Sequence, residues 1–243
     1  MLNKILFLIV IFLSNIIQCI TGFAGTVLAM PFSVMLVGFD TARPVLNVLG
    51  ILASVFVIVT GFRHIDKKEL ATITLLMSVG IAFGIPLKNV LEGAGNVLYK
   101  ILGVLVIVFA IMNAYLFYSK KEPKPMPKAI EISLLLVAGV VHGIFVCGGP
   151  LLVTYASMKL CDKDKFRSTL SAVWIILNGI IAVNDIRGNV FTKDALVITG
   201  ISALVLVLAF TVGNLIYKKM SKKVFLNLTY ILMIISGISL LLK

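Results

Sequence analysis

Two apolar stretches, residues 5–38 and 129–158, are each too long for a single membrane helix, and each is interrupted by glycine. A transmembrane helix needs about 20 residues, so a run of this length has to turn inside or near the bilayer. Backbone groups freed at such a turn cannot be left in hydrocarbon and must be buried in protein or face a wet cavity. The first interruption reads Thr21-Gly22-Phe23-Ala24-Gly25-Thr26 and the second Val146-Cys147-Gly148-Gly149-Pro150. Aligning Gly25 with Gly148 pairs Thr26 with Gly149, Leu28 with Leu151 and Met30 with Val153. Downstream, Arg43 matches Arg167, Arg63 matches Arg187 and Gly84 matches Gly213. A duplicated membrane unit with broken helices is the pattern of secondary transporters.

Composition agrees with a bilayer as the solvent. Hydrophobic residues make up 60% of the chain, charged residues 13%, and the mean hydropathy is +1.12; soluble domains are about 25% charged. The ten acidic and 22 basic residues lie in or beside short polar gaps, which predicts no carboxylate deep in the membrane. Six further runs, at 44–62, 70–87, 101–118, 168–184, 195–217 and 224–242, approach spanning length. The expected fold is an all-α polytopic membrane protein of two inverted repeats, each a glycine-broken hairpin plus three transmembrane helices. The first repeat is residues 1–119, the second 129–243, and a cytoplasmic linker with three prolines and four lysines, 120–128, joins them. No extramembrane domain is expected.

Lys4 ahead of an apolar run invites a signal-peptide reading, but no small-residue cleavage site with a polar mature start follows. The net charge of +12 falls in clusters at membrane edges, as orientation signals and anionic-lipid contacts do, so nucleic acid is not an expected partner. Cys19, Cys147 and Cys161 are too scattered for a metal motif or a disulfide framework.

Positive charge selects the topology. If each long run crosses once, alternate gaps carry 11 basic residues on each side. If each run instead enters and returns on one side, 15 fall on one face and seven on the other. The positive-inside rule therefore selects hairpins, with both termini outside. A hairpin plus three spans crosses an odd number of times, so the halves are inverted and their glycine turns enter from opposite faces.

After each break the chain is expected to resume as an apolar helix whose first N–H groups and positive dipole end can hold an anion without a buried cation. Pro150 suits the first turn of such a helix. The candidate substrate-binding residues are Gly22, Gly25, Thr26, Cys147, Gly148, Gly149, Asn47, Ser171 and Asn178. Thr21, Asn15, Gln18, Thr154 and Ser54 are further polar lining candidates, each of which can equally make a helix–helix hydrogen bond. His142, the one imidazole deep in an apolar run, can couple transport to protons or simply pack. Arg43 and Arg167 can attract anions at the two mouths, although arginines at helix ends more often anchor to headgroups. Trp174 lies too deep for an interfacial belt and can wall the pathway or pack.

At these residues the chain resembles the sulfite exporter TauE/SafE (TSUP) family, with Gly22-Phe23-Ala24-Gly25 and Pro31 in the first half and Gly148-Gly149-Pro150-Leu151-Leu152-Val153 in the second. It departs from the family pattern at Ala24, Thr26 and Thr154. The resemblance implies a multi-pass protein of the cell membrane, the bacterial inner membrane, moving small sulfur-containing or organic anions of the sulfite, sulfonate or sulfoacetate type. Expected partners are a small anion and the lipid bilayer; a homodimer is left open, and no cofactor or metal is called for. An anion channel and a non-transporting scaffold remain as alternatives. An enzyme is not expected, because only His142 and Cys147 approach a catalytic grouping.

Overall fold

The computed structural model describes the chain except Met1, residues 93–96, 120–125, 161, 218–226, 228, 229, 232, 233, 236, 239, 240 and 243. Most of the expected linker and of the span at 224–242 therefore lies outside the described residues. The rest is helical: α1 (Leu2–Thr21), α2 (Ala24–Val37), α3 (Phe39–Gly61), α4 (Lys67–Glu92), α5 (Val97–Tyr118), α6 (Lys128–Phe145), α7 (Gly149–Lys159), α8 (Lys163–Arg187) and α9 (Lys193–Tyr217). Six of these, α1, α3, α4, α6, α8 and α9, are long and apolar enough to cross a membrane. Several extend past the apolar runs because polar residues cap them in the gaps. The Asp66 carboxylate accepts from the amides of Lys68 and Glu69, both at 3.1 Å. Asp162 does the same for Asp164 and Lys165 at 3.0 and 2.8 Å.

The outer surface is apolar, with Val59, Leu75, Phe83 and Leu204 among many large side chains turned outward. Ser14, Asn15, Gln18, Asn47, Ser54, His142, Ser171 and Asn178 are buried. Polar interior and apolar exterior is the arrangement that lipid demands, since only protein can satisfy the interior groups.

Both long runs fold back on themselves. The Lys159 ammonium meets the Glu131 carboxylate at 2.6 Å, so α7 ends where α6 begins. Leu2, Asn3 and Lys4 share a recess with Leu36, Val37 and Thr41, so α2 ends where α1 begins. These two ends of the molecule are opposite. On the Lys4 end, Lys4 also reaches Asp194 at the start of α9, at 3.1 Å. Further along, Cys19 Sγ lies 3.4 Å from Asn214 Oδ1, so α1 and α9 run parallel. On the Glu131 end, Tyr155 OH donates to Glu69 Oε2 at 2.7 Å, joining α7 to the start of α4.

Two packing relations recur between the halves. Helix α4 packs on α6 as α9 packs on α1, and α9 lies against α3 as α4 lies against α8. Helices α3 and α8, matching segments by sequence, pack on each other and run antiparallel: Arg43 meets Asp185, Asn47 and Gly50 meet Asn178, and Gly61 meets Ser168.

The buried Arg43–Asp185 pair corrects one expectation. Arg43 is 1% exposed rather than anchored among headgroups, and Asp185, near the end of α8, is buried against it. Arg43 Nη1 contacts both carboxylate oxygens, at 2.8 and 2.9 Å. Its Nη2 and Nε donate to the carbonyls of Gly143 and Ile144 at 3.0 and 3.1 Å. Those carbonyls belong to the last turn of α6, which has no helical partners for them. The guanidinium thus satisfies a carboxylate and a helix C-terminus at once, which is how a full charge is held inside protein.

Candidate functional site

The two breaks share one local design. Helix α1 ends when Gly22 turns left-handed at φ 80°, and α6 ends when Val146 does so at φ 56°. Glycine makes that turn without steric cost, whereas a β-branched residue there stores strain. The amide of Gly22 bonds to the Gln18 carbonyl at 2.8 Å, and that of Val146 to the His142 carbonyl at 2.8 Å. Each of those residues then reaches forward with its side chain. Gln18 Oε1 accepts from the Gly25 amide at 2.7 Å, and His142 Nδ1 accepts from the Gly148 amide at 3.4 Å. By their left-handed residues the breaks pair Gly22 with Val146 and Gln18 with His142, which places Gly25 opposite Gly149, one position from the register that the sequence favoured.

The breaks meet. A pocket of about 10 Å³, room for roughly one water, is lined by Gln18, Phe23, Thr26, Val27 and Gly50 from one half. His142, Val146, Gly149, Trp174 and Asn178 line it from the other. The Phe23 carbonyl lies 3.4 Å from the position a Gly149 side chain would take, and the Trp174 ring edge 3.7 Å from it. A side chain at Gly149 would close the pocket between them. The Trp174 ring also lies against His142, with ring centroids 5.0 Å apart and planes tilted by 36°.

The pocket wall is rich in unengaged donors. Helix α7 starts at Gly149 with Pro150 in its first turn and no side-chain cap from Gly148. Among the described residues, the amides of Gly149 and Leu151 have no hydrogen-bond partner. Trp174 is 5% exposed and its Nε1–H is unpaired. A helix N-terminus with open amides and the positive end of its dipole favours an anion, and an indole N–H beside it adds a directed donor.

Of the residues singled out by sequence, Thr26, Gly149, His142 and Asn178 line this pocket, as do Gln18 and Trp174. Gly25 and Gly148 stand behind it, each giving its amide to the preceding helix. Gly22 packs against Arg167, and Cys147 Sγ faces the Thr26 carbonyl at 4.0 Å. Asn47 Nδ2 donates to the Asn178 carbonyl at 3.0 Å, bracing α8 from α3. Ser171 and Ser54 are buried with unpaired hydroxyls away from the pocket lining. Asn15 and Thr154 bond back to their own helices. Phe23, Val27, Val146 and Gly50 were missed; only their closeness in sequence to the breaks, or to Asn47, could have marked them.

No curated protein and no solved structure matches the chain. A family model described as sulfite exporter TauE/SafE does match, over residues 6–240, and with nearly the whole chain covered the protein belongs to that family of membrane transporters.

Proposed function

We propose that this protein is a secondary transporter of small anions, sulfur-containing or organic and of the sulfite, sulfonate or sulfoacetate type, working by alternating access around the two helix breaks. The observation that carries the reading is the meeting of both breaks at one buried pocket, beside the open N-terminus of α7 and the unpaired Trp174 N–H. Two inverted repeats are supported by the antiparallel packing of the matching helices α3 and α8. An axis that swaps two antiparallel helices lies perpendicular to them, hence in the membrane plane, as in transporters that rock one repeat against the other. By the positive-charge count of the sequence, the end where α4 and α6 begin is assigned to the cytoplasm.

With room for about one water, the pocket is contracted, and admitting an anion requires Phe23 and Trp174 to separate. Polar contacts join the helices at both ends: Arg43–Asp185 toward the Lys4 end and the Glu69–Tyr155 and Glu131–Lys159 contacts toward the other. The test is counterflow in proteoliposomes containing the purified protein. Unlabelled sulfite loaded inside should accelerate uptake of labelled sulfite and drive it transiently above equilibrium. A conductance with no such trans-acceleration would overturn the carrier reading in favour of a channel.

A further inference from the structure

Two amide side chains in the pocket have their orientations dictated by the protein. A backbone N–H can only donate, so the Gln18 atom 2.7 Å from the Gly25 amide is its oxygen, and its NH2 group is left for the pocket it lines. The second case runs through His142. The Gly148 amide donates to His142 Nδ1, so that nitrogen carries the lone pair and Nε2 carries the hydrogen. His142 Nε2–H then donates to Asn178 Oδ1 at 2.9 Å, and the Asn178 NH2 group turns the other way. It points across Gly50, where Nδ2 lies 2.8 Å from the position of an added side chain, with Thr26 Oγ1 at 3.8 Å from the same point. Asn178 is 3% exposed and Gln18 6% exposed. Neither NH2 group has a hydrogen-bond partner among the described residues.

Resting on the anion-transport reading above, we infer that Gln18 and Asn178 set the specificity of the site. With their oxygens captured by Gly25 and by the His142 imidazole, they offer only N–H groups, and the pocket selects oxyanions that carry no acidic hydrogen. The Gly149 amide and Trp174 Nε1–H add donors, the Thr26 hydroxyl can donate as well, and no carboxylate lines the pocket. An oxyanion whose oxygens are all acceptors satisfies such a wall. One that retains an O–H sets a donor against these N–H groups and finds an acceptor only where the Thr26 hydroxyl or a wall carbonyl such as that of Phe23 reaches it, a basis for rejection. His142 is here a positioning residue: both ring nitrogens are committed, and it acts through Asn178 rather than on the anion.

Sulfate and phosphate separate the effect from size and shape, since both are tetrahedral, but at pH 7.5 phosphate keeps a P–O–H and sulfate keeps none. Binding of each to the purified full-length protein in detergent is measured by titration calorimetry. The wild type is expected to bind sulfate at least ~10-fold more tightly than phosphate. Asn178→Asp and Gln18→Glu, which replace an NH2 with an acceptor oxygen, should weaken sulfate at least ~10-fold and narrow or invert the ratio. His142→Ala, which frees the Asn178 amide to rotate, should narrow the ratio even where sulfate still binds. Binding of neither anion, nor of sulfite, by the wild type would overturn the anion-transport reading and this inference with it. Sulfate and phosphate bound within about threefold of each other, or a ratio unmoved in all three variants, would overturn the donor-dominated site alone.

Discussion

At the residue scale the largest single commitment is the Arg43–Asp185 pair, both side chains 1% exposed. Removing one partner of a buried pair strands the other charge, at a cost of about 3–5 kcal/mol, whereas replacing both with apolar groups is often close to neutral. Asp185→Asn is therefore expected to lower stability by roughly 3 kcal/mol or more, read as a fall in the midpoint of detergent unfolding. Arg43→Met combined with Asp185→Leu should recover much of it, short of the carbonyls of Gly143 and Ile144 that the guanidinium also satisfies. Equal losses in the single and double variants would show that the pair itself is not the source. Counting charges along the chain hid this pair, because both residues stand beside polar gaps. A helical-face reading could have found it: Arg43, Asn47, Gly50 and Ser54 recur at the spacing of one helix face, and so do Ser171, Asn178 and Asp185. A polar face on a membrane helix points to protein, not lipid.

Among the elements, α4 and α6 form the tightest contact, and glycine makes it possible. Gly80 and Gly84 lie against Gly139 and Gly143, with Gly80 Cα 2.9 Å from the position of a Gly139 side chain and Gly143 Cα 3.1 Å from that of Gly84. Added side chains at Gly80 and Gly139 would overlap the carbonyls of Leu136 and Met77. Two Gly-x-x-x-Gly faces thus meet, and small residues at such a seam let backbones approach where apolar burial gives no net drive between helices in lipid. Gly139→Val should lower the thermal midpoint sharply and reduce the yield of monodisperse protein, overpacking of this kind costing about 1–3 kcal/mol or more. Gly200→Ala, on α9 with open space around it, should be neutral or stabilise by up to about 1 kcal/mol. Comparable losses for both would refute the seam. Helix positions were legible because hydropathy and polar gaps mark them, but hydropathy does not distinguish a glycine that turns the chain, such as Gly22, from one that packs, such as Gly139. The breaks were legible as turns only because the runs holding them were too long to be single helices, and their one-residue register shift became visible only through the bonds to Gln18 and His142.

For the whole molecule the decisive property is orientation, since the ends of the α1–α2 hairpin meet at the Lys4 end and those of the α6–α7 hairpin at the Glu131 end. The contacts divide the polar ends into two sets, the Lys4 end with Thr41 and Asp194, and the Glu131 end with Glu69 and Lys159. The turn Phe62–His64 follows the end of α3 that meets Ser168, and Asn189 follows the end of α8 that meets Arg43, so His64 and Asn189 belong to opposite ends. Basic residues are retained on the cytoplasmic side during insertion, and the charge count along the sequence assigns the His64 end to that side. Single cysteines at these exposed positions, in a Cys161→Ser background with the buried Cys19 and Cys147 left in place, report the arrangement to a membrane-impermeant maleimide. Asn189→Cys should be labelled in intact cells, and His64→Cys only after permeabilisation. The reverse pattern would invert the molecule in the membrane and move the Arg43–Asp185 pair to the cytoplasmic face. Labelling of both from outside would mean that α3 or α8 does not cross, and neither the antiparallel pair nor the inverted repeats built on it would survive that result.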